Sequence, residues 1–270
     1  KSADVTRYRN LQVLTCIVKD PSGTMKLTWF NQPYMRNVLN NGTRFTFHGM
    51  VEALPQVPVS LKEAAEEFFS QEDYEACCRI PKDLNLLHGA IQTKRYGSCQ
   101  ICMYRDLLVP EQETQFAALS FLLDDNTIFV AYRGTDYSIT GWKEDFNMAF
   151  KKPVRGQRLS ALYLNEIGNR IDGEFMVCGH SKGGNLAVYS CMNVFEDIQK
   201  RIKRIYSFDG PGFRPEILNS DDYEKIAERI EKYIPQSSLV GMILENHEDY
   251  MVIESASLGL LQHDPYTWKV

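Results

Sequence analysis

Long apolar runs are missing from this sequence: no stretch approaches the roughly 18 consecutive apolar residues that a membrane-crossing helix needs. Residues 1–10 are polar and charged, without the apolar core of a secretory leader. Cysteine is sparse, seven in 270 residues and an odd number, which excludes a disulfide-built scaffold and fits a reduced, cytoplasmic protein. Cys99 and Cys102 have C-x-x-C spacing. They fall inside an apparent strand, however, where residues three apart face opposite ways, and no second such pair follows; a zinc site is not expected. Glycine (17) and proline (11) are too few and too scattered for a collagen-like or low-complexity chain. No G-x-x-x-x-G-K-[ST] occurs, which removes a phosphate-binding loop of that type.

What is present is ordinary for a chain with a full core: 44% hydrophobic and 24% charged residues. The length suits two domains or one large α/β domain. A net charge of −5 hides an asymmetry, because residues 1–53 sum to +4 and the rest to −9, which suggests two segments of different origin.

Residues 11–20 (LQVLTCIVKD) and 25–30 (MKLTWF) read as strands joined by the turn PSGT. RFTFHGMVE, after the turn at Asn40, Asn41 and Gly42, alternates in the same way. This is a small all-β module, too short to close a five-stranded barrel. Two prolines in residues 53–58 mark a break, and the expected domains are 1–56 and 57–270. Ser60 and Glu63 then form a capping-box pattern that opens a helix.

Beyond the break, SCQICMYRD, TQFAALSFLL and NTIFVAYRG are strand-like, and a helix is expected over 157–171. EFMVC is a short apolar strand, followed by a glycine turn and a helix of small and apolar residues; KRIYSF is a strand, YEKIAERIEKY an amphipathic helix and YMVIES a late strand. Strands alternating with helices predict an α/β fold, a mostly parallel sheet covered by helices on both faces.

The chemistry centres on Gly179-His180-Ser181-Lys182-Gly183, a G-x-S-x-G pattern between a strand and a helix. Such a turn projects the serine hydroxyl above the sheet, and the amide that follows, that of Lys182, can face a developing oxyanion. Of five histidines, His263 lies beyond the last strand, where a loop at the carboxyl end of the sheet can reach the serine. His180 reads as a packed residue under the turn. Asp209 directly follows the KRIYSF strand and is the expected acid, in the chain order Ser181, Asp209, His263. Thr135, after the strand NTIFVAYRG, can give a second oxyanion donor through its amide or hydroxyl, with Gly134 permitting close approach. Asp145 reads as an anchor for Arg133 or a backbone cap.

At these residues the region 57–270 resembles lipase-like α/β hydrolases related to class 3 lipases. VAYRGTD with W-x-x-D, CGHSKGGNLAVY, SFDGPGF and QHDPYTW carry the likeness, and GHSKGGNLA resembles a bacterial family of uncharacterised lipase-like proteins. The resemblance implies a Ser181, His263 and Asp nucleophilic site, an oxyanion hole at Lys182 and Thr135, and a serine esterase acting on a small-molecule or lipid ester without metal or cofactor. Class 3 lipases take their acid from a D-x-V-P element, where this chain has IPQSSLVG with Ser237 and Ser238. Lys182 replaces their usual apolar residue, and such a cation would favour anionic substrates or face solvent.

Residues 1–53 resemble part of the OB-fold wedge of RecG-type helicases through LTWFNQPYMRNVLNNGTRFTFHGMVE. That likeness implies weak DNA binding, with Trp29, Phe30, Tyr34, Arg36 and Arg44 as candidates.

Overall fold

The computed structural model describes residues 3–8, 11–20, 23–30, 58–78, 80–135, 138–148 and 153–269. The chain divides into two compact units, Lys1–Glu52 and Ala53–Val270.

In the first unit, β1 (Ala3–Tyr8), β2 (Leu11–Asp20) and β3 (Gly23–Phe30) form an antiparallel sheet in that order. Leu14 and Cys16 of β2 are fully buried. Trp29 and Phe30 are consecutive on β3, opposite Leu14 and Val13. Tyr34, Arg36, Arg44 and the strand expected over RFTFHGMVE lie outside the described residues.

The second unit is built on an eight-stranded sheet in the order β11-β10-β9-β8-β7-β6-β5-β4. The strands are β4 (Val59–Ser60), β5 (Gln100–Val109), β6 (Thr114–Leu122), β7 (Thr127–Tyr132), β8 (Glu174–His180), β9 (Ile202–Phe208), β10 (Ile230–Pro235) and β11 (Tyr250–Ile253). An antiparallel meander, β4 to β7, forms one side, and β7 to β11 run parallel. The expected α/β class holds, with four of the seven pairings parallel.

The first helix of this unit begins where the sequence places its cap. Ser60 Oγ accepts from Glu63 N (3.1 Å) and Glu63 Oε2 accepts from Ser60 N (3.0 Å), which starts α1 (Leu61–Phe69). Then come α2 (Pro81–Gln92), α3 (Ile139–Met148), α4 (Arg155–Gly168), α5 (Lys182–Asn193) and α6 (Asp221–Ala227). The core joins Val130, Val177 and Ile205 of the central strands to Leu164 and Ile167 of α4, Leu186 and Cys191 of α5, and Ile226 of α6. Each such aliphatic side chain removed from water contributes about 1.5–3 kcal/mol.

One element differs from expectation. YEKIAERIEKY is not a continuous helix: α6 stops at Ala227, and Ile230 opens β10. The apolar residues fit both periods, but Ile230, Lys232 and Ile234 are buried alternately, and Asp209 N pairs with Tyr233 O (2.7 Å). A neighbouring strand edge that needed hydrogen-bond partners outweighed helical propensity.

Candidate active site

Ser181 sits between β8 and α5 with φ 57° and ψ −130°, a strained conformation for a residue with a Cβ. Packing enforces it. A Cβ at Gly179 would stand 2.1 Å from the Gly183 carbonyl carbon, and one at Gly183 would stand 2.2 Å from Tyr132 O, so strand, helix and β7 touch backbone to backbone. Ser181 N donates to Phe208 O (2.9 Å), tying the turn to the end of β9. The Arg133-Gly134-Thr135 segment lies alongside, since a Cβ at Gly134 would be 3.3 Å from Ser181 Cβ.

Asp209 follows β9 with φ 47° and is 1% exposed. Its Oδ2 lies 2.6 Å from His263 Nδ1, and its Oδ1 accepts from Gly241 N (3.1 Å) and from the Ser238 hydroxyl. Burial works against the charged carboxylate. The hydrogen bonds from His263 and Ser238, the charge of His263 and the Gly241 amide outweigh it and hold the carboxyl below its ordinary value. Asp209 is therefore an ionised acceptor, so His263 donates from Nδ1. A neutral His263 then offers Nε2 as the basic nitrogen.

His263 ends a 3₁₀ segment, Gly259–His263, and its side chain is 27% exposed. The tail that carries it folds back over the ends of β8 and β9, where the Trp268 ring lies 6.0 Å from that of His180 and 6.5 Å from that of Phe208. On the other side of the tail, Tyr266 OH donates to Asp83 Oδ1 of α2 (2.5 Å), and Lys82 pairs with Asp264 (3.6 Å). His180 is packed, as expected, but its neighbour is the candidate base: the two imidazole rings are 4.5 Å apart, and His180 Nε2 donates to His263 O (2.8 Å). Burial, then the proximity of His263, pushes His180 down to about 4, so its ring is neutral at pH 7.

Two expectations about polar residues near the turn are corrected. Lys182 neither faces solvent nor stands ready for an anionic substrate. It is 1% exposed, with Nζ donating to Gln115 O (2.7 Å), Gln115 Oε1 (2.6 Å) and Glu144 Oε2 (3.2 Å). Buried acceptors on β6 and α3, within reach of the long alkyl stem, hold the cation inside. Nor does Asp145 anchor Arg133, whose guanidinium makes a two-pronged pair with Asp106 (3.0 Å on each arm). Asp145 Oδ2 instead accepts the Thr135 hydroxyl proton (2.6 Å), which leaves the amide of Thr135 as its remaining donor. Burial, opposed by Lys182 and Thr135, raises Asp145 to about 6, and its Oδ1 has no hydrogen-bond partner.

Ser238 joins the site without being expected there. It occupies the stretch where class 3 lipases carry the acid, and that position is the signal that could have found it: a hydroxyl there donates to the carboxylate that β9 supplies instead. Glu144, buried behind the turn, gave no sequence signal at all. Among the described residues no cluster of three or more His, Cys, Asp or Glu is arranged to hold a metal, and Cys78, Cys99, Cys102, Cys178 and Cys191 are free thiols. No described helix is long and apolar enough to cross a membrane.

A parallel sheet entered by a meander, a strained serine between its central strand and a helix, and an Asp–His pair at the same strand ends define the lipase-like α/β-hydrolase fold. The chain belongs to the Mbeg1-like family, whose model matches residues 90–270. A RecG wedge domain model matches residues 1–95 and so runs past the boundary between the two units. Among curated proteins nothing matches the chain.

Among solved structures, the native propeptide complex of Rhizomucor miehei lipase is similar at 16% identity and TM-score 0.44, over 88% of this chain and 82% of that one. A deletion mutant of that complex aligns at 16% identity and TM-score 0.41, over 58% of this chain and 56% of its own. A triacylglycerol lipase from Penicillium expansum aligns at 15% identity and TM-score 0.39, over 58% and 70%. The strand order and the serine turn, not these likenesses, define the fold.

Proposed function

We propose that this protein is a serine hydrolase that cleaves carboxylic esters of acyl or lipid type. Ser181 attacks the ester carbonyl while His263 Nε2 takes its proton, and the same nitrogen returns that proton to the departing alcohol. Asp209 keeps the imidazole in the tautomer this needs and stabilises the imidazolium. The backbone amides of Lys182 and Thr135 receive the negative charge that develops on the carbonyl oxygen, and water then releases the acid from the acyl-enzyme by the reverse sequence. The chemistry uses no metal or organic cofactor.

The observation that carries this reading is the 2.6 Å contact between His263 Nδ1 and an Asp209 carboxylate held ionised, on the same strand ends as the strained Ser181. A panel of p-nitrophenyl esters from short to long acyl chains tests it. Wild-type protein should hydrolyse at least one of them, and Ser181→Ala should lose at least about a thousandfold in kcat with its thermal unfolding unchanged. Equal rates in wild type and Ser181→Ala would overturn the proposal.

The RecG wedge match favours a second reading, DNA binding by the N-terminal unit. Binding of the intact chain to forked DNA that weakens steeply with salt would support it, and no binding at low salt would remove it.

A further inference from the structure

Lys182 is the most deeply buried cation beside the turn, and the proposed chemistry uses only its backbone. Its side chain runs inward to Glu144, which is also 1% exposed. Glu144 accepts three hydrogen bonds: Oε1 from Gly156 N (2.8 Å), and Oε2 from Gln115 N (3.0 Å) as well as from Lys182 Nζ. One carboxylate thus joins β6, the first turn of α4, and the first residue of α5 to α3. The next residue of α3, Asp145, holds the Thr135 hydroxyl. Consecutive acidic residues on one helix therefore grip both residues to which the proposed function gives the oxyanion.

We infer that the Lys182–Glu144 pair is a positioning device for the oxyanion site, fixing the Lys182 amide relative to that of Thr135; this rests on the hydrolase reading above. Lys182 is the first residue of its helix, so its amide has no partner within that helix, and its direction follows how the first turn is seated. A side chain pinned at its far end by three acceptors prevents that turn from rotating. Apolar side chains of similar volume would avoid burying two charges but would leave the Gly156 and Gln115 amides without an acceptor, so a loss of stability is expected in either case and a change in catalysis at constant fold is what marks orientation.

The test compares wild type with the double variant Lys182→Met/Glu144→Met, which removes both charges of the pair together, and with Glu144→Asp, which keeps both charges, and with them the Lys182 charge beside Asp145, and shortens the anchor by one methylene. For each folded protein the readouts are kcat and KM on one ester and the inhibition constant of an alkylboronic acid, whose tetrahedral serine adduct places an oxygen where the oxyanion forms.

Positioning predicts that both variants lose about tenfold or more in kcat and about the same factor in boronate affinity, with KM nearly constant. A purely structural pair predicts lower melting temperatures with kcat and boronate affinity within about twofold of wild type, and that result overturns the inference. If the double variant does not fold, Glu144→Asp decides by the same comparison. A wild-type chain that neither hydrolyses esters nor binds the boronate overturns the hydrolase reading and this inference with it. Active wild type with unchanged variants overturns the inference alone.

Discussion

The two flanks of Ser181 are built by opposite means. On the base side, His263 and Asp209 meet through hydrogen bonds between loop residues, with a partly exposed imidazole, a serine and an amide as supports. On the other side, Lys182 and Thr135 are held from behind by Glu144 and Asp145; the Lys182–Glu144 pair is almost out of contact with water, while Thr135 and Asp145 are half-buried. The difference follows from the task proposed for each. A base must exchange protons with substrate and water, so it sits on an accessible loop. An oxyanion site must not reorganise as charge develops, so its backbone is clamped by a buried ion pair at Lys182 and by a half-buried carboxylate at Thr135.

Substitutions on each flank sharpen this contrast. The largest effect is expected for Asp209→Asn, which disturbs the tautomer of His263: kcat should fall about a thousandfold or more, with the circular dichroism spectrum unchanged. Next comes Asp145→Ala, which leaves the Thr135 hydroxyl without its acceptor; a loss of about ten- to a hundredfold in kcat at constant KM is expected from steady-state kinetics. Ser238→Ala removes one of several donors to Asp209 and should cost about tenfold. A larger loss from Ser238→Ala than from Asp209→Asn would break the account of the base side.

The smallest effect is expected for His180→Gln, read as stability against pH. A histidine with a depressed folded value binds its proton more readily in the unfolded chain. Its stabilising contribution is therefore complete above the unfolded value of about 6.5. It is lost as pH falls through that value toward the folded value of about 4. Urea midpoints between pH 7 and pH 4.5 should fall less in His180→Gln than in wild type. An equal fall would show that this ring does not titrate as described.

Much of the base side was legible in the sequence because its logic is ordinal. A serine between strand and helix, an aspartate directly after the next strand and a histidine after the last strand all point to one edge of a parallel sheet. Asp209 was legible from position alone, and Ser238 came close, since its segment stood out for lacking an acid. The clamp was not legible. Nothing local to Lys182 says that its ammonium turns inward, because the acceptors come from residues 67 and 38 positions away in sequence. The partner of Asp145 is hidden for the same reason: sequence does not reveal that Arg133 is already bound to Asp106 of β5, leaving Asp145 to the Thr135 hydroxyl. The end of α6 is not legible because 223–233 satisfies both hydrophobic periods, and only the neighbouring strand decides between them.

The central claim is that Ser181 is an activated nucleophile, and covalent labelling tests it most directly. Folded wild-type protein should react with a fluorophosphonate to give a single adduct that peptide mass spectrometry maps to Ser181, and the label should be absent from Ser181→Ala and greatly slowed in His263→Ala. A folded chain that remains unlabelled, or that carries the adduct on a residue other than Ser181, would contradict the account.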